Sequence, residues 1–381
     1  MTMFKKPKRV TGRAKPDPDD QFSRDRAERA EEIVANIWVD TKRQRAILND
    51  IRSYMRNAAK KRRGTPMGGL RLSQYSQAGK SAIAERLIAE LEEEAIAAGA
   101  SPNRHRVVHI TISSRMTLKM LFMDILNRLA DDFLEEPGNG ALQFGAKIRG
   151  KSADNVMVLE QRIEEWVARL GVELIIIDEV QLLATKHERS TTDLNYGSSF
   201  LTADALDVTK KLQSFIDRGV APMLFIGDET SEQFFKLNTQ FAARLGAPLK
   251  LNPLNVEKIA ERKQFMKFCT EYDERVVKLG AVPVPTCLSE PAILTRLIMA
   301  SGGHIGRAAR IIQVALPAAL KRGAATLEAY DLSNAVRDYA MDLGWVDHDP
   351  FSVVSMPAPE PASPTSNTSA QNDNTETTDA A

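Results

Sequence analysis

The chain has 381 residues, of which 43% are hydrophobic and 27% charged. This composition is typical of a globular protein with a sizeable core and excludes a wholly disordered chain. Two cysteines, Cys269 and Cys287, cannot form a disulfide framework in a chain of this length, and no Cys/His cluster has the spacing of zinc ligands. We expect a cytoplasmic protein, because the sequence offers neither an apolar leader nor an apolar run long enough to cross a membrane.

Charge is unevenly distributed, although 51 Lys and Arg against 50 Asp and Glu give a net charge of only +1. Residues 1–64 carry 18 basic and 9 acidic side chains, whereas residues 346–381 carry 6 acidic side chains and no Lys or Arg. The sequence therefore predicts a basic arm, a nearly neutral body and an acidic tail. The outermost parts of both ends lack apolar periodicity, and we expect them to be disordered.

Apolar spacing in the body predicts an α/β unit followed by a helical one. Two helices precede short apolar strands that alternate with amphipathic helices, a pattern typical of a parallel sheet, and four helices follow Pro253. We therefore divide the chain into a basic disordered arm, a helical lead-in, an α/β core, a small all-α domain and an acidic disordered tail, at residues 1–25, 26–64, 65–253, 254–345 and 346–381.

A phosphate-binding loop is predicted after the first strand. Residues 74–81 read QYSQAGKS, which ends in the GKS of a P-loop but has Gln74 where the first glycine usually permits a sharp turn. Lys80 would reach the β and γ phosphates of ATP, and the Ser81 hydroxyl would bind Mg²⁺. Alone, GKS is equally typical of a helix start with an exposed lysine. The predicted ligands of the nucleotide are Ser76, Gln77, Ala78, Gly79, Lys80, Ser81 and Ala82.

A second motif supports the first. The aliphatic run at residues 172–177 leads directly into Asp178 and Glu179, a Walker B arrangement. There Asp178 would hold the metal and Glu179 would orient or deprotonate the attacking water. Two acids can also simply cap a strand as it enters solvent. Together the two motifs favour a site for ATP and Mg²⁺.

With both motifs in place, residues 30–340 resemble the AAA+ ATPases, and within them the TniB/TnsC group of transposon-encoded regulators. The resemblance is carried by NIWV at 36–39, LIIIDEVQLL at 174–183 and MLFIGD at 223–228. It implies a P-loop AAA+ core, a parallel sheet flanked by helices, followed by an all-α lid domain.

The resemblance also assigns residues beyond the two motifs. Asp228 falls at the sensor that positions the attacking water, where threonine or asparagine is more usual. Arg244 falls where the family carries an arginine finger for the neighbouring subunit, although an ordinary helix-end arginine reads the same way. Arg307 would approach the γ phosphate from the lid, with Arg310 as the second choice. Trp38 borders the adenine in one reading and packs in the core in the other.

An arginine finger that acts on a neighbour implies a homo-oligomer, either a ring or a helical filament. The resemblance places backbone contacts to double-stranded DNA in the loop after the second strand, at Arg115, Thr117 and Lys119, which also read as a polar helix start. The basic arm, with Lys and Arg at 5–9 and 60–63, is a second candidate for DNA or a solvated tail. Residues 188–200 would face DNA or a partner.

The function implied is an ATP-dependent regulator of transposition that oligomerises on target DNA and recruits or activates a transposase. Hydrolysis is expected to be slow and stimulated by DNA or a partner. The alternatives are a replication initiator or helicase loader, disfavoured because only the tail follows the lid, and a nucleotide-gated adaptor without turnover. The five scattered histidines predict no nucleophilic triad and no metal cluster, so we expect ordinary surface or core positions for them.

Overall fold

The computed structural model describes residues 19–62, 64–113, 117–131, 133, 139–183 and 203–352. The strands are β1 (Gly69–Ser73), β2 (Val107–Thr111), β3 (Leu174–Asp178) and β4 (Met223–Gly227). The helices up to the last strand are α1 (Asp19–Ala35), α2 (Lys42–Ala59), α3 (Lys80–Ala97), α4 (Leu118–Asp131), α5 (Asn139–Ile148), α6 (Val156–Leu170) and α7 (Ala203–Arg218). Those after it are α8 (Ser231–Lys236), α9 (Thr239–Arg244), α10 (Ile259–Lys278), α11 (Pro291–Ser301), α12 (Ile305–Lys321) and α13 (Ala329–Ala335), which continues into a π-helical turn (Val336–Ala340).

The four described strands form one parallel sheet in the order β1-β4-β3-β2. Every residue of β3 is buried, because β3 lies between two strands and is covered on both faces. Its aliphatic sequence fits this position inside the sheet. At the outer edge of β1 the chain pairs through a single parallel bridge between Gly69 and Leu245, so α9 ends beside the first residue of β1.

Alternating side chains of the strands build two cores. Ile175 and Ile177 point to the face covered by α4, α6 and α7, whereas Leu174 and Ile176 point to the face covered by α2 and α3. The parallel strands carry their carboxyl ends to one edge of the sheet. The P-loop and the Walker B acids therefore emerge at that same edge.

The predicted helical domain is confirmed as α10–α13, and it has its own apolar core. Helix α1 belongs to that core, because its Ala27, Ala30 and Val34 pack among lid residues. Of the two lead-in helices, α1 thus packs with the lid, whereas α2 packs on the sheet. Moreover, α1 begins at Asp19, so residues 19–25, which we assigned to the disordered arm, start a helix.

Several predicted features lie outside the described residues. These are Arg115, the basic residues at 5–9, Arg63, the segment 188–200 and the tail from residue 353. Among the helices that are described, none is long and apolar enough to cross a membrane.

Candidate nucleotide-binding site

The sharp turns of the loop at residues 74–79 do not lie at Gln74, the position where the P-loop pattern has its first glycine. Gln77 and Gly79 have φ angles of 60° and 89°. Gln74 is not among the described non-glycine residues with positive φ, and its amide donates a hydrogen bond to the carbonyl of Gly227 at 3.1 Å. The glutamine therefore fits the loop without strain at its own backbone.

Lys80 lies at the start of α3 with its side chain folded into the loop. Its Nζ donates to the carbonyl oxygens of Gln74 and Tyr75, both at 2.9 Å. Burial lowers the pKa of Lys80, and the nearby carboxylates of Glu179 and Asp178 oppose that shift. The amine is thus held at the loop that sequence analysis assigned to phosphate.

The two motifs meet through their side chains. The Ser81 hydroxyl donates to Oδ2 of Asp178 at 2.7 Å, although the residues are 97 positions apart. Burial by itself would raise the pKa of Asp178, but the neighbouring His109 and Ser81 outweigh it and lower the pKa below its ordinary value. A buried carboxylate beside a serine hydroxyl is an all-oxygen donor pair of the kind that Mg²⁺ prefers.

His109 is a residue that sequence analysis missed. It lies on β2, and its Nε2 is 3.6 Å from Oδ2 of Asp178, without a hydrogen-bond partner of its own in the described part of the chain. The available indication was a histidine among β-branched residues in the strand Val107 to Thr111. The histidine could be linked to the site only once the pairing of β2 with β3 was known. That pairing aligns Thr111 with Asp178, so His109, two residues before Thr111, lies on the same face of the sheet as Asp178.

Glu179 follows β3 in a left-handed conformation, with φ of 60°, which is uncommon for a side chain of this size and is found at functional sites. Its carboxylate accepts a hydrogen bond from the Gln181 amide, and the Oε1 of Gln181 accepts from the backbone N–H of Asp228 at 3.3 Å. Gln181, also missed, links the Walker B acid to the end of β4. The Asp228 carboxylate accepts from the amide and hydroxyl of Thr230, at 2.8 and 2.5 Å.

An open cleft of about 470 Å³ lies between the sheet edge and the lid, within the size range of small-molecule sites. Its walls include Trp38, so this tryptophan lies at the cleft while also packing on the core under the sheet. Of the predicted site residues, the cleft is lined by Ser76, Gln77, Gly79, Lys80, Ser81, Ala82 and Glu179. Ala78 and Asp178 are buried just behind this wall.

The lid touches the loop directly through the first turn of α12. A Cβ on Gly306 would lie 2.3 Å from the carbonyl oxygen of Gln77, so only glycine allows this approach. His304, the residue before α12, packs its ring edgewise on Tyr75 with centroids 5.5 Å apart. Burial and the positive charge of Arg307 lower the pKa of His304 to about 4, which keeps the ring neutral at pH 7.

The two candidate lid arginines occupy neighbouring turns of α12. Arg310 lines the cleft, whereas Arg307 lies against the indole of Trp345, with its guanidinium carbon 5.2 Å from the ring centroid. Burial lowers the pKa of Arg307, and the carboxylate of Glu229 opposes that shift. The structure therefore places both candidates near the loop, and the second choice lines the cleft itself.

Arg244 lies away from the cleft of its own chain. It ends α9 beside the first residue of β1, at the opposite edge of the sheet from the P-loop, and its Nε donates to Asp217 at 2.5 Å. The length of the five-residue strand β1, roughly 15 Å, separates it from the P-loop.

The described DNA candidates have intramolecular partners. Thr117 caps α4, its hydroxyl accepting from the amide of Met120 at 3.3 Å, and Lys119 donates to the carbonyl of Ser152 at 2.6 Å. These contacts fit the alternative of a polar helix start, although a lysine ammonium keeps further donors. Lys60, Lys61 and Arg62 are exposed at the end of α2, near the edge of the sheet where β1 begins and away from the P-loop.

Comparisons with known proteins agree with this geometry. Residues 75–233 match the family model described as an AAA domain. In solved structures, the chain is similar to Aeropyrum pernix ORC1 in complex with DNA, with 14% identity, a TM-score of 0.50, and coverage of 81% of this chain and 69% of that one. It is also similar to Aeropyrum pernix ORC2, solved as ADPNP–ADP complexes, with 13% identity, a TM-score of 0.51, and coverage of 81% of this chain and 71% of that one.

The chain has the AAA+ fold. At these identities the solved structures establish the fold alone. A comparison with curated proteins finds no sequence match. The strand order places the loop, Asp228 and the Walker B acids at the ends of three adjacent strands, β1, β4 and β3.

Proposed function

We propose that the protein is an AAA+ ATPase that assembles on target DNA in its ATP state and recruits or activates a transposase. The observation that carries the ATPase part is the hydrogen bond between Ser81 and Asp178, which joins the two motifs beside a cleft large enough for a nucleotide. The transposition part rests on the resemblance of the sequence to the TniB/TnsC group.

In this proposal, the residues of the cleft divide the work of hydrolysis. Lys80 and the loop amides bind the β and γ phosphates. Ser81 and Asp178 would hold Mg²⁺, which would neutralise part of the negative charge of the phosphates. The Glu179 carboxylate accepts a proton from the water that attacks the γ phosphorus, and ADP and phosphate are released. Gln181 holds Glu179 in place for that transfer.

The position of Arg244 is an argument that the protein assembles into an oligomer. Because it lies across the sheet from its own P-loop, a catalytic role requires the cleft of a neighbouring subunit. A mixing experiment tests this. Glu179→Gln and Arg244→Ala proteins should each be nearly inactive, and an equimolar mixture should regain turnover, since mixed interfaces contain one intact Glu179 beside one intact Arg244. A mixture no more active than its components would contradict assembly through Arg244.

DNA binding is proposed for the surface that carries Thr117 and Lys119, with Lys151 close by through the contact of Lys119 with Ser152. Contacts to phosphates predict an affinity that falls steeply with salt. ATP turnover with and without duplex DNA, over a salt series, is the test. Stimulation that disappears at high salt supports the proposal. Turnover indifferent to DNA contradicts the DNA-dependent part, and absence of turnover favours a non-hydrolysing adaptor.

A second candidate is a replication initiator or helicase loader. It is favoured by the likeness of fold to the Aeropyrum pernix ORC1 protein, which was solved with DNA. Binding to a panel of unrelated duplexes separates the two candidates, because phosphate contacts carry no sequence information. Equal affinity across the panel supports the transposition regulator, whereas a strong preference for one sequence supports an initiator.

A further inference from the structure

The lid carries two aromatic side chains that hold its two candidate arginines, Arg307 and Arg310. Trp345 lies under the guanidinium of Arg307 at 5.2 Å, and Tyr339 lies beside Arg310, whose guanidinium carbon is 5.7 Å from the ring centroid. The phenol oxygen of Tyr339 also accepts a hydrogen bond from Nε of Arg310 at 3.2 Å. The two rings contact each other edge to face, with centroids 5.3 Å apart.

Backbone geometry fixes this aromatic pair. Tyr339 lies in the π-helical turn that follows α13, a type of turn that is rare and often marks functional sites. Gly344, with φ of 66°, then reverses the chain, and the amide of Trp345 donates to the carbonyl of Ala340 at 2.9 Å. The indole therefore returns to lie beside the ring of Tyr339.

The chemistry of this support differs from that at Arg322, another arginine of the lid. Arg322 is paired with the carboxylates of Asp331 and Glu328. Arg307 forms no ion pair with a described residue, and its buried Nε lacks a hydrogen-bond partner there. Arg310 has only neutral partners among the described residues, Tyr339 and Gln313. A carboxylate would compete with phosphate for a cation, whereas a ring face fixes the cation without neutralising it.

We propose that Trp345 and Tyr339 are positioning residues that hold Arg307 and Arg310 ready for the γ phosphate, so that this pair sets the preference for ATP over ADP. This inference rests on the proposed function of the cleft. It assigns the preference for ATP to uncharged aromatic residues, of which Tyr339 lies 29 residues after Arg310 and Trp345 lies 38 residues after Arg307.

The test measures Kd for a non-hydrolysable ATP analogue and for ADP in the full-length protein. Trp345→Leu should weaken the analogue about fivefold to tenfold, the range of a cation–π contact that is partly shielded from water, and change ADP less than twofold. Trp345→Phe keeps a ring and should restore most of the preference. Tyr339→Phe loses only the hydroxyl and should weaken the analogue about twofold to threefold.

Tyr330→Leu is the matched control, because it removes a ring from Arg322, 5.7 Å away, in the same domain but outside the cleft. It should leave both constants unchanged. If Trp345→Leu folds poorly, Tyr339→Phe decides, since it keeps its ring and should still weaken the analogue about twofold to threefold without a matching loss for ADP. The emission of Trp345, taken as the difference between wild type and Trp345→Phe, should change with the analogue and not with ADP.

Two results would overturn the inference. A Trp345→Leu protein with wild-type preference for the analogue, or with equal losses for both nucleotides, would remove the positioning role and leave the proposed ATPase intact. A wild-type protein that binds neither nucleotide would overturn the proposed function itself, and this inference with it.

Discussion

The two walls of the cleft are built from different kinds of contact. The core wall is a polar network in which Ser81 bonds to Asp178, Gln181 bonds to Glu179, and the amine of Lys80 bonds to loop carbonyls. The lid wall includes Arg310, and aromatic faces and neutral oxygens hold both Arg310 and Arg307, one turn before it. The core thus holds anionic and hydroxyl oxygens suited to a metal, and the lid presents arginines without carboxylate partners, which would suit a phosphate. Catalysis and nucleotide discrimination are therefore expected to be separable by mutation.

The largest effect should follow from breaking the core wall at Asp178. Asp178→Asn should lower ATP turnover about 1000-fold, because it removes the buried anion that would hold the metal, a loss of several kcal/mol in transition-state stabilisation. Steady-state turnover measures this. Glu173→Gln is the control, since this acid precedes the same strand at its other end and pairs with Arg106. A variant with near wild-type turnover would show that Asp178 does not serve the metal.

A smaller effect should follow at His109, which supports the core wall from β2. His109→Ala should lower turnover about tenfold and raise the Mg²⁺ concentration needed for half-maximal activity, as expected for a group that orients a metal ligand. His109→Gln keeps a polar group there and should recover part of the loss. His105→Gln, on the same segment but stacked on Phe133, is the control. An unchanged Mg²⁺ requirement in His109→Ala would limit His109 to packing.

The smallest effect concerns the contact between lid and loop. The pKa of His304 falls from 6.5 to about 4 in the folded protein, so the unfolded chain binds more protons between those values. The stability that this group contributes is present above pH 6.5 and is lost as the pH falls towards 4. Between pH 7 and about 5.5, wild type should lose about 1 kcal/mol more unfolding free energy than His304→Leu. Equal losses in denaturant titrations would contradict a neutral, buried His304.

The core wall could be predicted from the sequence because its parts are local motifs. Lys80 and Ser81 follow one strand, Asp178 and Glu179 follow another, and parallel strands bring their carboxyl ends to one edge. His109 could not be identified, because a single histidine gains meaning only when β2 pairs with β3. The periodicity of α1 indicated a helix but not its partner, so its place in the lid was not predicted.

The lid wall was less predictable for a related reason. Arg307 and Arg310 were named from the resemblance, but Tyr339 and Trp345 come from a π-helical turn and a glycine turn, which apolar spacing does not indicate. The sequence likewise gives no sign that Gly306 matters, because its role is to allow the close contact of α12 with the loop. The sequence also suggested that Gln74 would strain a sharp turn of the loop, but the turns lie at Gln77 and Gly79 instead.

The claim that this cleft binds and hydrolyses ATP is tested most directly by comparing Glu179→Gln with wild type in one assay of turnover and nucleotide retention. The amide keeps the shape of the side chain but cannot accept a proton from water. The account predicts that Glu179→Gln binds ATP as tightly as wild type, retains it uncleaved, and loses at least about 100-fold of turnover. Turnover of Glu179→Gln at the wild-type rate would contradict the account.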